Sequence, residues 1–151
     1  VTILAIFNGL GRPTFGAISD KIGRKNAVLV AFAIEIFALT VVLPNAGTFA
    51  LYALGVSLVG FSYGGFLGLM PTITADLYGT KNIGLNYGWV YTAWGMAGVL
   101  GPIVGVEVRE ATGAWLNAFR ILAFACCVGM VLTYLIGPRK KIDRYAPKES
   151  R

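Results

Sequence analysis

Arg12 lies inside the otherwise apolar stretch NGLGRPTFGA near the start of the 151-residue chain. Asn8, Arg12 and Ser19 recur at spacings of four and seven, so on a helix they share one polar face. Arg12 precedes Asp20 by eight residues, about 12 Å along a helix axis. At that depth in a bilayer an arginine faces a protein interior or a water-filled path and indicates a functional site. Asn8 and Arg12 are therefore candidate functional-site residues.

Aromatic residues form a second candidate surface later in the chain. Tyr87, Tyr91 and Trp94 recur at spacings of four and three, which places them on one helical face. Trp94 lies eight residues after Asn86, where its apolar segment is predicted to begin, so we expect it at about the depth of Arg12. These three residues join the candidate functional-site residues. Two alternatives stay open: an aromatic stripe used only for packing, and a structural ion pair at Arg12.

Glu35 lies in the middle of another apolar segment. An unpaired carboxyl at that depth is expected to carry a proton. It is interpreted either as part of a proton relay or as a hydrogen-bonding group that contacts a neighbouring helix.

The composition indicates which elements must position these side chains. Hydrophobic residues make up 56% of the chain and charged residues only 13%, against about 25% charged residues in soluble domains. Several apolar windows approach the length of about 20 residues that a bilayer requires, and none alternates as a barrel strand does. We therefore predict an all-α, multi-pass membrane protein. The predicted apolar segments are residues 1–19, 26–44, 48–74, 86–106 and 114–136.

These segments predict a membrane-spanning bundle over residues 1–137, with about five spans, and a basic cytoplasmic tail over 138–151. The first segment is short for a span, so we expect that the chain starts in the middle of a helix. In the third segment, Gly60, Gly64 and Gly68 form a face that a neighbouring helix can approach closely.

The basic residues predict the orientation in the membrane. Ten of the thirteen lysines and arginines fall on one side of the predicted spans, in residues 20–25, 76–85 and 138–151. By the positive-inside rule, this side and the C-terminus are cytoplasmic. The net charge of +6 does not indicate nucleic-acid binding, because the basic residues flank spans and form no continuous stripe. Their expected partner is anionic lipid, in a plasma (inner) membrane.

The sequence does not favour an enzyme. It contains no histidine, no cluster of metal ligands and no recognisable activated nucleophile. No cofactor and no metal are expected.

The stretch GAISDKIGRK, residues 16–25, matches the pattern G-x-x-x-D-[R/K]-x-G-R-[R/K] at every defined position. An ordinary positive-inside loop needs neither the aspartate nor the spaced glycines. The stretch resembles the signature of the major facilitator superfamily, in the short cytoplasmic loop between two spans. The resemblance implies the C-terminal half of that fold, from part of helix eight through helix twelve. It implies a gating role for Gly16, Asp20, Lys21, Gly23, Arg24 and Lys25, with Asp76 as the partner of Arg24.

Three longer stretches, residues 8–24, 71–88 and 91–102, resemble the oxalate/formate antiporter family. This resemblance implies a transporter of small organic anions that works by alternating access together with a missing N-terminal half. It also implies that Arg12 binds the substrate carboxylate, since a guanidinium can donate two parallel hydrogen bonds to a carboxylate. The other candidate substrate-binding residues are then Asn8, Tyr87, Tyr91 and Trp94. Members that carry oxalate have a lysine after YTA, where this chain has Trp94. Because a dianion would require two cations, a monocarboxylate such as formate, lactate or pyruvate is the expected substrate.

Two other functions remain as alternatives. One is a carrier for an uncharged or cationic solute, in which Arg12 would be structural. The other is a membrane receptor or assembly subunit, which would have no use for the motif at residues 16–25.

Overall fold

A computed structural model of the chain describes residues 1–135, and every regular element in that range is helical. The elements are α1 (Thr2–Ile22), α2 (Arg24–Phe37) with a π-helical extension (Ala38–Val42), α3 (Phe49–Tyr78), α4 (Ile83–Thr112) and α5 (Trp115–Leu135). The all-helical prediction is confirmed. The tail predicted over 138–151 lies outside the described residues.

Four of the described helices are long and apolar enough to cross a membrane. They are Arg24–Val42, Phe49–Tyr78, Ile83–Thr112 and Trp115–Leu135. In the remaining helix, α1, the polar residues Asn8, Arg12 and Asp20 interrupt the apolar sequence. α4 has no buried residue at all, although it is rich in large apolar side chains. A surface of this kind is suited to lipid or to another protein segment, not to water.

The motif at residues 16–25 is more helical than the sequence suggests. The prediction of a loop over 20–25 is wrong, because α1 continues to Ile22 and α2 starts at Arg24. Asp20 therefore lies in the last turn of α1. Gly23 alone breaks the helix, with a φ of 88° that favours glycine over residues with a side chain. The charged residues of the motif are thus fixed on two helix ends.

α3 and α4 both extend beyond the apolar residues from which they are predicted. α3 begins after Thr48, whose hydroxyl accepts a hydrogen bond from the Leu51 N–H at 3.3 Å, and it ends only at Gly79. α4 begins at Ile83, three residues before the predicted start, and ends at Gly113. Both C-terminal ends coincide with a glycine at positive φ, so the helices end at a backbone signal and not at the first polar residue.

α3 is the central helix of the described bundle, since it packs against α1, α2 and α4. A core of small and aromatic side chains lies between α1, α2 and α3 and includes Phe15, Ala27, Val28, Ala31 and Leu69. α5 packs against α2 and α4.

α1 and α3 run in the same direction at very close range. Cβ atoms placed on Gly60, Gly64 and Gly68 would meet the backbones of Leu4, Asn8 and Arg12, respectively. The prediction that this glycine face receives a neighbouring helix is confirmed. The neighbour is the helix that carries the candidate arginine.

Candidate functional site

Arg12 and Asn8 form a hydrogen-bonded pair on α1. The Nε and Nη2 atoms of Arg12 donate to Asn8 Oδ1 at 3.3 and 3.2 Å, across one helical turn. The Arg12 side chain is exposed, and within residues 1–135 no carboxylate lies within ion-pair distance of it. Because the amide is neutral, the positive charge of Arg12 remains available to an anion. Ser19, the third residue of the polar face, is buried and bonds instead to Gly16 O at 2.7 Å and to Arg24.

The aromatic residues of α4 pack together as predicted. The ring centroids of Tyr87 and Tyr91 are 5.4 Å apart, and those of Tyr91 and Trp94 are 4.8 Å apart with an interplanar angle of 29°. The indole N–H of Trp94 donates to the hydroxyl of Tyr63 on α3 at 2.5 Å. Tyr63 is a residue that the sequence analysis missed, because no periodic pattern connects it to residues on a different helix.

A small cavity of about 70 Å³ lies where α3 and α4 meet. Its wall contains Tyr63, Phe66 and Met70 from α3 and the three aromatic residues of α4. Since the Tyr63 oxygen accepts the indole N–H, its own proton is free for another acceptor. The cavity thus combines aromatic walls with the hydroxyls of three tyrosines, of which that of Tyr63 already accepts the indole N–H of Trp94.

Arg12 and the aromatic residues of α4 belong to different helices. α1 and α4 are not in contact within the described bundle, whereas both pack against α3. Among the described residues, no hydrogen bond or cation–π contact connects Arg12 to Trp94. The predicted binding residues therefore fall into two groups, on two helices that both pack against α3.

A larger groove of about 420 Å³ runs along a different face of α1, lined by Pro13, Thr14, Ala17, Ile18 and Lys21. It includes neither Asn8 nor Arg12. Its walls are mainly apolar, and we assign it no role in anion binding.

The pairing predicted between the motif and α3 is confirmed. Arg24 Nε lies 3.5 Å from Asp76 Oδ2, while Arg24 Nη1 lies 2.7 Å from Asp20 Oδ1 and also bonds to Ser19. The side chains of Asp20 and Asp76 are 68% and 62% exposed, which limits the strength of both ion pairs. A gating role for this cluster stays a prediction.

Other residues of the motif differ in their contacts. Lys25 Nζ donates to Tyr134 O at 2.7 Å and lies 5.0 Å above the Tyr134 ring, so it connects the start of α2 to α5. Lys21 is exposed. Gly16, which is predicted to let two helices approach, has open space where its Cβ would be, so no described helix makes that approach.

Glu35 contacts a neighbouring helix, in agreement with one of its two interpretations. Its carboxyl is hydrogen-bonded to the hydroxyl of Ser62 on α3. Ser62 is fully buried and lies 3.0 and 3.1 Å from the carbonyl oxygens of Leu58 and Val59. A role in a proton relay stays a prediction.

Closely packed apolar helices that carry isolated polar groups define an integral, multi-pass membrane protein. The sequence profile of the Major Facilitator Superfamily matches residues 1–151, and the chain belongs to that family. The superfamily predicted from residues 16–25 is therefore confirmed.

Curated relatives have transporter names. The chain is 32% identical to the "Oxalate:formate antiporter" of Oxalobacter formigenes, over 99% of this chain and 37% of the relative. It is 33% identical to "Monocarboxylate transporter 14" of Mus musculus, over 91% of this chain and 27% of the relative. It is 26% identical to "Monocarboxylate transporter 12" of Mus musculus, over 95% of this chain and 30% of the relative. The chain thus spans less than two fifths of the length of these relatives, and none of the three has the name of an enzyme.

Proposed function

We propose that the chain is part of a secondary active transporter that moves small organic anions, preferably monocarboxylates, by alternating access. One observation carries this proposal: Arg12 lies in the helix that follows α3 most closely, yet its hydrogen-bond partner is the neutral amide of Asn8. A buried or membrane-embedded cation without a carboxylate partner is costly, and an anionic substrate relieves that cost.

The names of the relatives and the residue at position 94 both support this substrate class. One relative is named for oxalate and formate, and two are named for monocarboxylates. An indole at Trp94 carries no positive charge, so Arg12 is the cation that we assign to the substrate. One guanidinium matches one carboxylate, and this favours formate, lactate or pyruvate over oxalate.

In the proposed binding step, the carboxylate accepts two hydrogen bonds from the Arg12 guanidinium, which exchanges its bonds to Asn8 for bonds to the anion. Tyr63 has a free hydroxyl proton at the cavity between α3 and α4 and can donate it to the same anion. The stacked rings of Tyr91 and Trp94 form part of the wall of that cavity, so the bound anion would lie beside aromatic surface.

The proposed topology places residues 20–25, 76–85 and 138–151 on the cytoplasmic side of the plasma (inner) membrane. The contacts of Arg24 with Asp76 and of Lys25 with Tyr134 support a common side for the ends of α1, α3 and α5. An N-terminal half of the same transporter would complete the substrate path. An impermeant thiol reagent added to intact cells should leave Ser150→Cys unlabelled, and strong labelling would reverse the orientation.

Three variants test the anion site in the full-length protein, reconstituted in proteoliposomes. We expect Arg12→Lys to weaken binding of labelled formate although the charge is kept, and Arg12→Gln to weaken it further. Trp94→Lys introduces a second cation and should shift preference toward oxalate. Competition by formate and oxalate measures both effects.

Arg120→Gln is the matched control, because Arg120 also bonds to an asparagine of its own helix, Asn117, at 3.5 Å. It should leave affinity and selectivity unchanged. Normal transport by Arg12→Gln, together with unchanged selectivity in Trp94→Lys, would exclude both residues from the site and return Arg12 to a structural role.

A further inference from the structure

Where α1 carries Asn8 and Arg12, its backbone lies directly on the backbone of α3 at two glycines, Gly64 and Gly68. A Cβ on Gly68 would lie 2.9 Å from the carbonyl oxygen of Arg12 and 3.2 Å from its Cα. A Cβ on Gly64 would overlap the carbonyl oxygen of Asn8. Both members of the hydrogen-bonded pair on α1 therefore lie against a glycine, with no side chain in between.

Substitution at either glycine must move α1, because the opposing atoms belong to the backbone. A flexible side chain can rotate away from a new methyl group, but the carbonyl groups of Asn8 and Arg12 can move only with their helix. The same helix α3 carries Tyr63, the hydroxyl of which lies at the aromatic cavity. A wider spacing between α1 and α3 would thus change the position of the guanidinium relative to that cavity.

We propose that Gly64 and Gly68 are positioning residues for the anion site: they set the distance between the Asn8–Arg12 pair and the wall of α3 that carries Tyr63. This inference rests on the proposed function. It adds two residues that contact no substrate and act through Arg12.

The structure orders the expected effects by distance. Gly64→Ala has the larger effect, because its methyl group would overlap backbone, and Gly68→Ala the smaller, because the contact of 2.9 Å requires a shift of a few tenths of an ångström. Gly9→Ala is the matched control: Gly9 lies next to Asn8 on α1, and nothing lies within 4 Å of its Cβ position. All three substitutions add one methyl group to a helical glycine.

The test is a double-mutant cycle in the full-length transporter, with labelled formate as the probe. Loss of a charge-assisted hydrogen bond in Arg12→Gln should weaken formate affinity roughly 10- to 150-fold. Gly68→Ala should weaken formate affinity by a part of that loss, about 3- to 10-fold, and should lower thermal stability in detergent less than Gly64→Ala does. In the Arg12→Gln background, Gly68→Ala should have no further effect on affinity, because the group through which it acts is gone.

Two results would overturn this inference and leave the proposed function standing. One is a formate affinity of Gly68→Ala equal to that of Gly9→Ala. The other is a double variant in which the losses of formate affinity from Gly68→Ala and Arg12→Gln multiply. Normal formate affinity in Arg12→Gln would overturn the proposed function itself. If Gly64→Ala does not fold, the comparison of Gly68→Ala with Gly9→Ala still decides the matter.

Discussion

The contact between Glu35 and Ser62 allows the two interpretations of Glu35 to be separated. The hydrogen bond joins α2 to α3, and Ser62 is fully buried. Within residues 1–135 no cation forms an ion pair with Glu35, so we expect the carboxyl to be neutral and to act as an interhelical hydrogen-bonding group. Ser62→Ala removes this bond and leaves almost the same side-chain volume. Its effect on the free energy of unfolding therefore reports lost hydrogen bonding and not lost packing.

An interhelical hydrogen bond in a membrane contributes about 0.6 kcal/mol and at most about 1.7, roughly a 3- to 20-fold change in the unfolding equilibrium. Glu35→Ala should lower the free energy of unfolding by at least as much as Ser62→Ala. Glu35→Gln keeps a hydrogen-bond donor at the same distance from the backbone and should lower it by less. Ser57→Ala is the control, because the Ser57 hydroxyl donates only to Ala53 O of its own helix, at 2.7 Å.

Two assays check this reasoning on the purified full-length protein. SDS titration in mixed micelles gives the unfolding equilibrium of each variant. Proteoliposome uptake, measured between about pH 5 and about pH 8, gives its transport activity. We expect Glu35→Gln to transport with an unchanged pH profile. A Glu35→Gln variant that is as stable as the parent but no longer transports would refute the structural interpretation and favour a proton relay.

Two further predictions concern the other polar contacts. Arg24→Gln and Asp76→Asn should show a coupling of about 0.2 to 1 kcal/mol in a double-mutant cycle that measures the equilibrium between the inward-open and outward-open states. Additive effects on that equilibrium would exclude the pair from gating. A charge reversal of Arg24 and Asp76 should restore function only in part, because the new carboxylate at position 24 would face Asp20, now 2.7 Å from the guanidinium. Tyr63→Phe removes the acceptor of the Trp94 indole and should weaken formate affinity about 2- to 10-fold, measured by competition; unchanged affinity would exclude Tyr63 from the site.

Features that repeat along one helix were predictable from the sequence. The spacing of Gly60, Gly64 and Gly68 predicts a close helix contact, and the structure places α1 there. The helix ends were less predictable, because apolar composition marks where lipid begins and not where the backbone leaves the helix. Gly79 and Gly113, both at positive φ, mark the true ends of α3 and α4.

The side-chain pairs that join two helices were predictable only where a known motif supplied them. The motif at residues 16–25 predicts the pair of Arg24 and Asp76. By contrast, the bond between Tyr63 and Trp94 joins residues 31 positions apart with no shared pattern. The lack of contact between α1, which carries Arg12, and α4, which carries Trp94, was equally hidden, because matching depths along two helices do not say whether the helices touch.

Arg24 and Lys25 are neighbours in the chain, yet one reaches α3 and the other α5. The ends of these two helices are therefore held near a common pivot at Gly23. α3 has 30 residues and a length of about 45 Å, so a tilt of about 5° around that pivot would displace its far end by about 4 Å. Tyr63, only 13 residues from Asp76, would move by less than about 2 Å. Such a tilt would therefore change the helix spacing at the opposite end of the bundle more than the geometry around Tyr63.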